Sequence, residues 1–249
     1  GDFLKRHTPA GAFQRVRRFV TNQRGDYRND PCYTFDAYLD LCHEFGLQAA
    51  FYFIPSSAEP NNGCYELTQP RIHRLMRKLA DAGHEIGMHG CYQAYRDSAL
   101  TRAHRDLLSH ALVQAGIEQS LQGNRQHYLR WDSALTPAAL ESAGFAYDTS
   151  GGFADYAGFR FGSAREFPMW DWAAGVPLKL RQRPLVVMDC TITDDVYMGL
   201  GRGDAARARI ALLRERALRF GGQFTVLWHN TSLSTLDDVA LLKAAVGPP

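Results

Sequence analysis

An α/β fold with a parallel sheet, barrel-like or open, is predicted for this chain by three features. Short apolar or aromatic runs alternate with stretches of helical periodicity from residue 34 onward. Glycines stand just after the helical stretches, where a chain leaves a helix. Chemistry-bearing side chains sit where the runs end, the position at which parallel α/β folds gather reacting groups.

The elements follow in order. After Asp30-Pro31, with Thr34 or Asp30 as cap, Phe35, Tyr38, Leu39, Leu41, Cys42 and Phe45 recur at helical spacing up to Gly46. The run 47–54 is apolar almost throughout and ends at Pro55, as expected of a strand buried on both faces. A helix is expected over 70–82, with a proline in its first turn and Gly83 past its end, then a strand over 85–89. A long helix over 98–119, a strand over 127–131, a short helix over 136–144 and a short strand over 145–148 come next. Residues 149–182, rich in Gly, Phe, Tyr and Trp, break the alternation and read as a long functional loop. A strand over 184–190, a helix over 205–220, a strand over 223–229 and a helix over 236–245 complete the chain.

The 249 residues fit one domain spanning 1–249, of which 1–29 are polar and irregular. A net charge of +2 is too small to argue for nucleic acid or an anionic membrane as partner. The early basic residues Lys5, Arg6, Arg15, Arg17, Arg18, Arg24 and Arg28 read as a solvated helix face. No apolar run reaches the roughly 20 residues that span a bilayer. The cysteines at 32, 42, 64, 91 and 190 are odd in number and form no metal-binding spacing, which favours a reducing, cytoplasmic setting.

Listing the strand ends gives the candidate site. His89 ends one strand and His229-Asn230 another, while Asp148-Thr149-Ser150 and Asp189 end two more. Arg125, His127 and Arg130 bracket the strand near 127, with His127 at its beginning. A single such histidine is most simply a hydrogen-bonded core residue; two at two strand ends point to a shared pocket. His84 precedes its strand and reads as structural. His7, His43, His73, His104 and His110 read as surface residues. Arg125 and Arg160 suit a carboxylate or a substrate carbonyl. Trp131, Trp170, Trp172, Phe161 and Tyr156 suit the apolar faces of sugar rings, or burial over the mouth of the sheet. No phosphate loop, dinucleotide fingerprint or nucleophile elbow is present.

Five segments in this order resemble the polysaccharide deacetylase family, carbohydrate esterase family 4, and within it a divergent bacterial branch. They are Gly83-His84-Glu85-Ile86-Gly87-Met88-His89, Arg125-Gln126-His127-Tyr128-Leu129-Arg130, Gly144-Phe145-Ala146-Tyr147-Asp148-Thr149-Ser150, Gly158-Phe159-Arg160-Phe161-Gly162 and Leu227-Trp228-His229-Asn230. The resemblance implies a distorted (β/α)7-type barrel that hydrolyses the N-acetyl group of an amino sugar or oligosaccharide with a divalent metal, usually zinc. It implies His89 as a metal ligand, His229 as general acid and Arg125 as the arginine that orients a general base. The second metal histidine is expected four residues after His89, where Gln93 stands, so His127 is the substitute ligand. Asp36 imitates the family's acidic motif but belongs to a helix. Either the first strand and its aspartates precede Gly1, the favoured reading, or this member has lost its base. Trp131, Asp148, Arg160 and Trp170 are the expected substrate contacts. A cofactor-free amide hydrolase and a catalytically silent carbohydrate-binding barrel are the alternatives.

Overall fold

The computed structural model describes residues 30, 32–58, 61–63 and 65–248; the basic cluster, His7 and the irregular segment 1–29 lie outside them. Helix α1 (Phe35–Phe45) closes on Gly46, whose φ of 62° is the left-handed cap, and leads to strand β1 (Ala50–Phe53). Helix α2 (Pro70–Asp81) and strand β2 (Glu85–Gly90) follow, then α3 (Ser98–Gln114), β3 (Gly123–Gln126), α4 (Thr136–Ser142) and β4 (Tyr147–Asp148). Next come β5 (Phe167–Asp171), β6 (Val176–Gln182), β7 (Leu185–Met188) and α5 (Asp189–Thr193). The last elements are α6 (Asp204–Arg219), β8 (Thr225–Leu227) and α7 (Leu236–Val246).

Six strands form one sheet in the order β1-β2-β3-β4-β6-β5, parallel except for the β5–β6 pair, and β7 and β8 pair in parallel in a second sheet. The two sheets do not join into a closed ring. Along β2, Ile86 and Met88 point outward into a core with Met76, Leu79, Leu108 and Leu112 from the helices. Glu85, Gly87 and His89 therefore face inward.

Two tyrosines fill the floor of that inner face. A Cβ at Gly87 would stand 2.5 Å from Tyr52 Cε1, and one at Gly123 would stand 2.3 Å from Tyr147 Cζ. Glycine is thus required where each ring lies flat across its neighbouring strand. The hydroxyls of Tyr52 and Tyr147 are 3.1 Å apart, and that of Tyr147 donates to Glu85 Oε1 at 2.9 Å. With the floor closed, polar groups of the next layer are directed to the C-terminal rim.

Four expectations are corrected. The strand placed at 127–131 lies at Gly123–Gln126, and His127 begins a 3-10 turn beyond its end. Gly123-Asn124-Arg125-Gln126 has no apolar pattern to reveal it, because its buried side chains are polar. The loop expected over 149–182 contains the β5–β6 hairpin, in which Phe167 and Met169 on one strand and Leu178 and Leu180 on the other pack into the helix-side core. The helix expected to reach 119 stops at Gln114, where Gly116 takes a left-handed φ of 69°. His104 is buried rather than exposed, since it shares the core-facing stripe of α3 with Thr101, Leu108 and Ala111.

Candidate functional site

His89, Arg125 and His127 come together because β2 and β3 pair in register, with His89 opposite Arg125. The Nδ1–H of His89 donates to the Arg125 carbonyl at 2.8 Å, and the Nε2–H of His127 donates to the Asn61 carbonyl at 2.7 Å. A carbonyl only accepts, so both contacts fix the tautomers. The remaining nitrogens, His89 Nε2 and His127 Nδ1, face each other at 2.9 Å. Burial, and then the nearby His127, push the His89 pKa down to about 3, and burial also lowers that of His127. Two neutral rings therefore aim two lone pairs at the same space.

On the second sheet, β7 and β8 end side by side, and each delivers one residue. Asp189 opens α5 and is 1% exposed; His229 follows β8. His229 Nδ1–H donates to Asp189 Oδ1 at 2.7 Å, and the His229 backbone N–H donates to Oδ2 at 2.8 Å. Burial works against the charge on His229, but the Asp189 hydrogen bond and charge outweigh it and raise the imidazole pKa. Burial likewise opposes the Asp189 carboxylate, yet His229 holds its pKa below the usual range. The loop is pinned from α1, where Tyr38 donates to His229 O at 2.9 Å and Thr34 to Asn230 O at 2.6 Å. A charge on His229 lowers the proton affinity of both His89 and His127, and Arg125 lowers that of His89 and His229, so the four groups share one electrostatic space.

The nitrogens of His89 and His127 fit a divalent cation: both are neutral, both are oriented by backbone carbonyls, and an N/O-binding ion favours such imidazoles. Among the described residues no third His, Cys, Asp or Glu joins them; the only such group of three within 4.8 Å is Asp189, Cys190 and His229. There burial pushes the Cys190 thiol up to about 12, and both Asp189 oxygens already serve His229. That cluster reads as an acid–base pair beside a protonated thiol.

The four expected substrate contacts have other neighbours, although Asp148 acts electrostatically on Arg125. Trp170 pairs with Pro177, five residues before Gln182, which lies level with Asp148, Asn124 and Met88. His89 is one residue further along β2, so at about 3.3 Å per residue Trp170 lies roughly 20 Å below the His89 layer, toward the N-terminal ends of the strands. Trp131 packs against the helix-side core. Asp148 is fully buried and accepts from Asn124 Nδ2, Ser150 N and Ser150 Oγ, so it braces β3 against β4. Arg160 is exposed and donates to Gly152 O at 2.9 Å, which holds the loop that carries it. Asp36 lies on α1 and pairs with Lys78, away from the strand ends.

Tyr128 carries no signal of its own in the sequence, yet it stands beside His127 at the rim. It is 65% exposed, its ring centroid lies 4.5 Å from that of His127 and 5.5 Å from that of Tyr92, and its φ is +58°. Leu129 follows at +52°. Two consecutive left-handed residues that are not glycine store strain of the kind found at functional sites. Nothing in the sequence spacing signals it.

No protein-family model and no curated protein matches the chain. Its class is nevertheless defined by the fold, an open version of the (β/α)7 barrel-type architecture. Among solved structures it is similar to a crystal structure of PuuE allantoinase, with a TM-score of 0.59 at 17% identity, over 90% of this chain and 69% of that one. That similarity carries the fold.

Proposed function

We propose that this chain is a metal-assisted C–N hydrolase that removes the N-acetyl group from an amino sugar of a polysaccharide or its precursor. The observation that carries the reading is the pair of facing lone pairs on His89 Nε2 and His127 Nδ1. His89 Nε2 and His127 Nδ1 would hold a divalent cation, zinc in the first instance, which would polarise the acyl carbonyl and acidify the attacking water. His127, on the turn that follows β3, takes the role expected at Gln93.

Hydrolysis adds water to the amide carbon, breaks the C–N bond and yields a carboxylate and an amine, the protons of the attacking water passing to solvent and back to His229. The leaving nitrogen needs a proton. His229 holds one at Nε2, because its Nδ1–H is committed to Asp189 and its pKa is raised. Asp189 fixes the tautomer, and Arg125 supplies positive charge beside His89 as negative charge develops on the acyl oxygen.

Zinc titration of the chain, with acetate release from N-acetylglucosamine oligomers, tests this reading. One zinc per chain, lost in both His89→Ala and His127→Ala but kept in Gln93→Ala, is expected, with acetate release abolished in His229→Ala. Full activity after chelation sinks the metal-assisted mechanism. The fold shared with an allantoinase favours a second reading, a C–N hydrolase acting on a small cyclic amide or ureide. Turnover of allantoin without turnover of the oligomers would select it.

A further inference from the structure

The candidate site is divided between two sheets. His89 stands at the end of β2 and His127 follows β3 in the first, while Asp189 and His229 follow β7 and β8 in the second. Among the described residues no strand of one sheet pairs with a strand of the other. On the β7 side the sheets touch directly, through the Leu185 N–H that donates to Gly151 O at 3.1 Å. On the β8 side α1 connects them. Phe35 and Leu39, one turn apart, pack against the core of the first sheet. Tyr38 and Leu41 pack with Trp228 and Leu233, which lie on either side of His229 in the chain.

The same segment hydrogen-bonds the loop that carries the imidazole. Tyr38 donates to His229 O at 2.9 Å, Thr34 Oγ1 donates to Asn230 O at 2.6 Å, and Asn230 Nδ2 donates back to Cys32 O at 2.7 Å. These partners lie 191 to 198 residues apart in sequence, so the bonds report tertiary placement and not local turn geometry. Burial, and then the charge of Asp189, raise the Tyr38 pKa, so the phenol stays a donor. Asp189 orients the His229 ring within the second sheet, but it cannot fix that sheet against His89 and His127. Proton transfer needs that second constraint, because an acid works only within hydrogen-bond reach of the leaving nitrogen.

We propose that Thr34 and Tyr38 are positioning residues: they clasp residues 229 and 230 while α1 rests on the first core, and so set where His229 stands relative to His89 and His127. The role of His229 as acid rests on the hydrolase reading; the clasp itself rests on the three hydrogen bonds and the two packed faces of α1.

The test uses the full chain with Thr34→Val and Tyr38→Phe, which remove the two hydroxyls and keep the shapes. In the double variant kcat for acetate release from N-acetylglucosamine oligomers should fall about tenfold or more, with KM held within about twofold. The NMR signal of the His229 Nδ1–H should broaden as the released loop admits solvent. Asp36→Asn, which loosens α1 at its pair with Lys78, is the control and should move neither quantity. An unchanged kcat or an unmoved proton signal in the double variant overturns the proposal, even where the melting temperature drops, since a purely structural bond would do that much. An equal loss in Asp36→Asn overturns it too. Should the unmodified chain release no acetate, the hydrolase reading fails and the proton signal alone decides the clasp.

Discussion

Asp189 holds His229 by two bonds at once, taking the ring Nδ1–H at 2.7 Å and the backbone N–H at 2.8 Å. Position and protonation of the imidazole are therefore set by one carboxylate. The two residues lie 40 apart in sequence and meet only because β7 and β8 run side by side.

The pair predicts a defined pH dependence. The His229 pKa is raised above 6.5, so its contribution to stability is complete below that value and is lost as pH rises through the folded pKa. The Asp189 pKa is depressed below 3.8, so its contribution is complete above that value and is lost as pH falls through the folded pKa. Asp189→Asn should thus lower the melting temperature most between these two values and less at higher pH. In the same variant the alkaline limb of the kcat profile should move to lower pH, because His229 loses its proton earlier. A melting difference that is flat across this range would show that the pair is not ionised as described.

Tyr128 should separate stability from binding. Tyr128→Gly removes the left-handed penalty but loosens the unfolded chain, for a net gain of about 0.5–1 kcal/mol in denaturant unfolding. The ring beside His127 is lost, so KM for N-acetylglucosamine oligomers should rise while kcat holds. A destabilised Tyr128→Gly would mean that the backbone there is not strained.

The tyrosine floor should tolerate no added methyl. A Cβ at position 123 falls 2.3 Å from Tyr147 Cζ, so Gly123→Ala forces the ring aside. Overpacking of this kind costs about 1–3 kcal/mol. Chemical denaturation measures it, and Gly123→Ala combined with Tyr147→Ala should show strong coupling, because the clash disappears with the ring.

Trp170 should be silent in catalysis. It is 43% exposed on the hairpin, far below the His89 layer. Trp170→Ala is expected to leave kcat and KM for N-acetylglucosamine oligomers unchanged. A marked loss of affinity would instead place the glycan on the β5–β6 face, as the silent carbohydrate-binding reading requires.

The alternation of strands and helices was legible in the sequence because each outward-facing strand residue and each helix stripe must be apolar to bury. Ile86 and Met88 against Met76 and Leu79 are the pattern at its plainest. The same rule hid β3, whose buried residues Asn124, Arg125 and Gln126 are polar. It also hid the hairpin, since the exposed tryptophans and prolines of 167–182 look like loop composition until the alternation of Met169, Leu178 and Leu180 is seen to share one face.

By itself, then, the sequence determined the alternation of strands and helices outside β3 and the β5–β6 hairpin, and marked His89 and His229 as strand-end histidines, because burial and backbone periodicity are local properties of the chain. Only the tertiary structure decided that His127 lies past the end of β3 and turns its Nδ1 to His89, that Asp189 belongs to His229, and that Trp170 belongs to neither. Those relations depend on strand register, and a shift of one residue would turn each side chain to the opposite face.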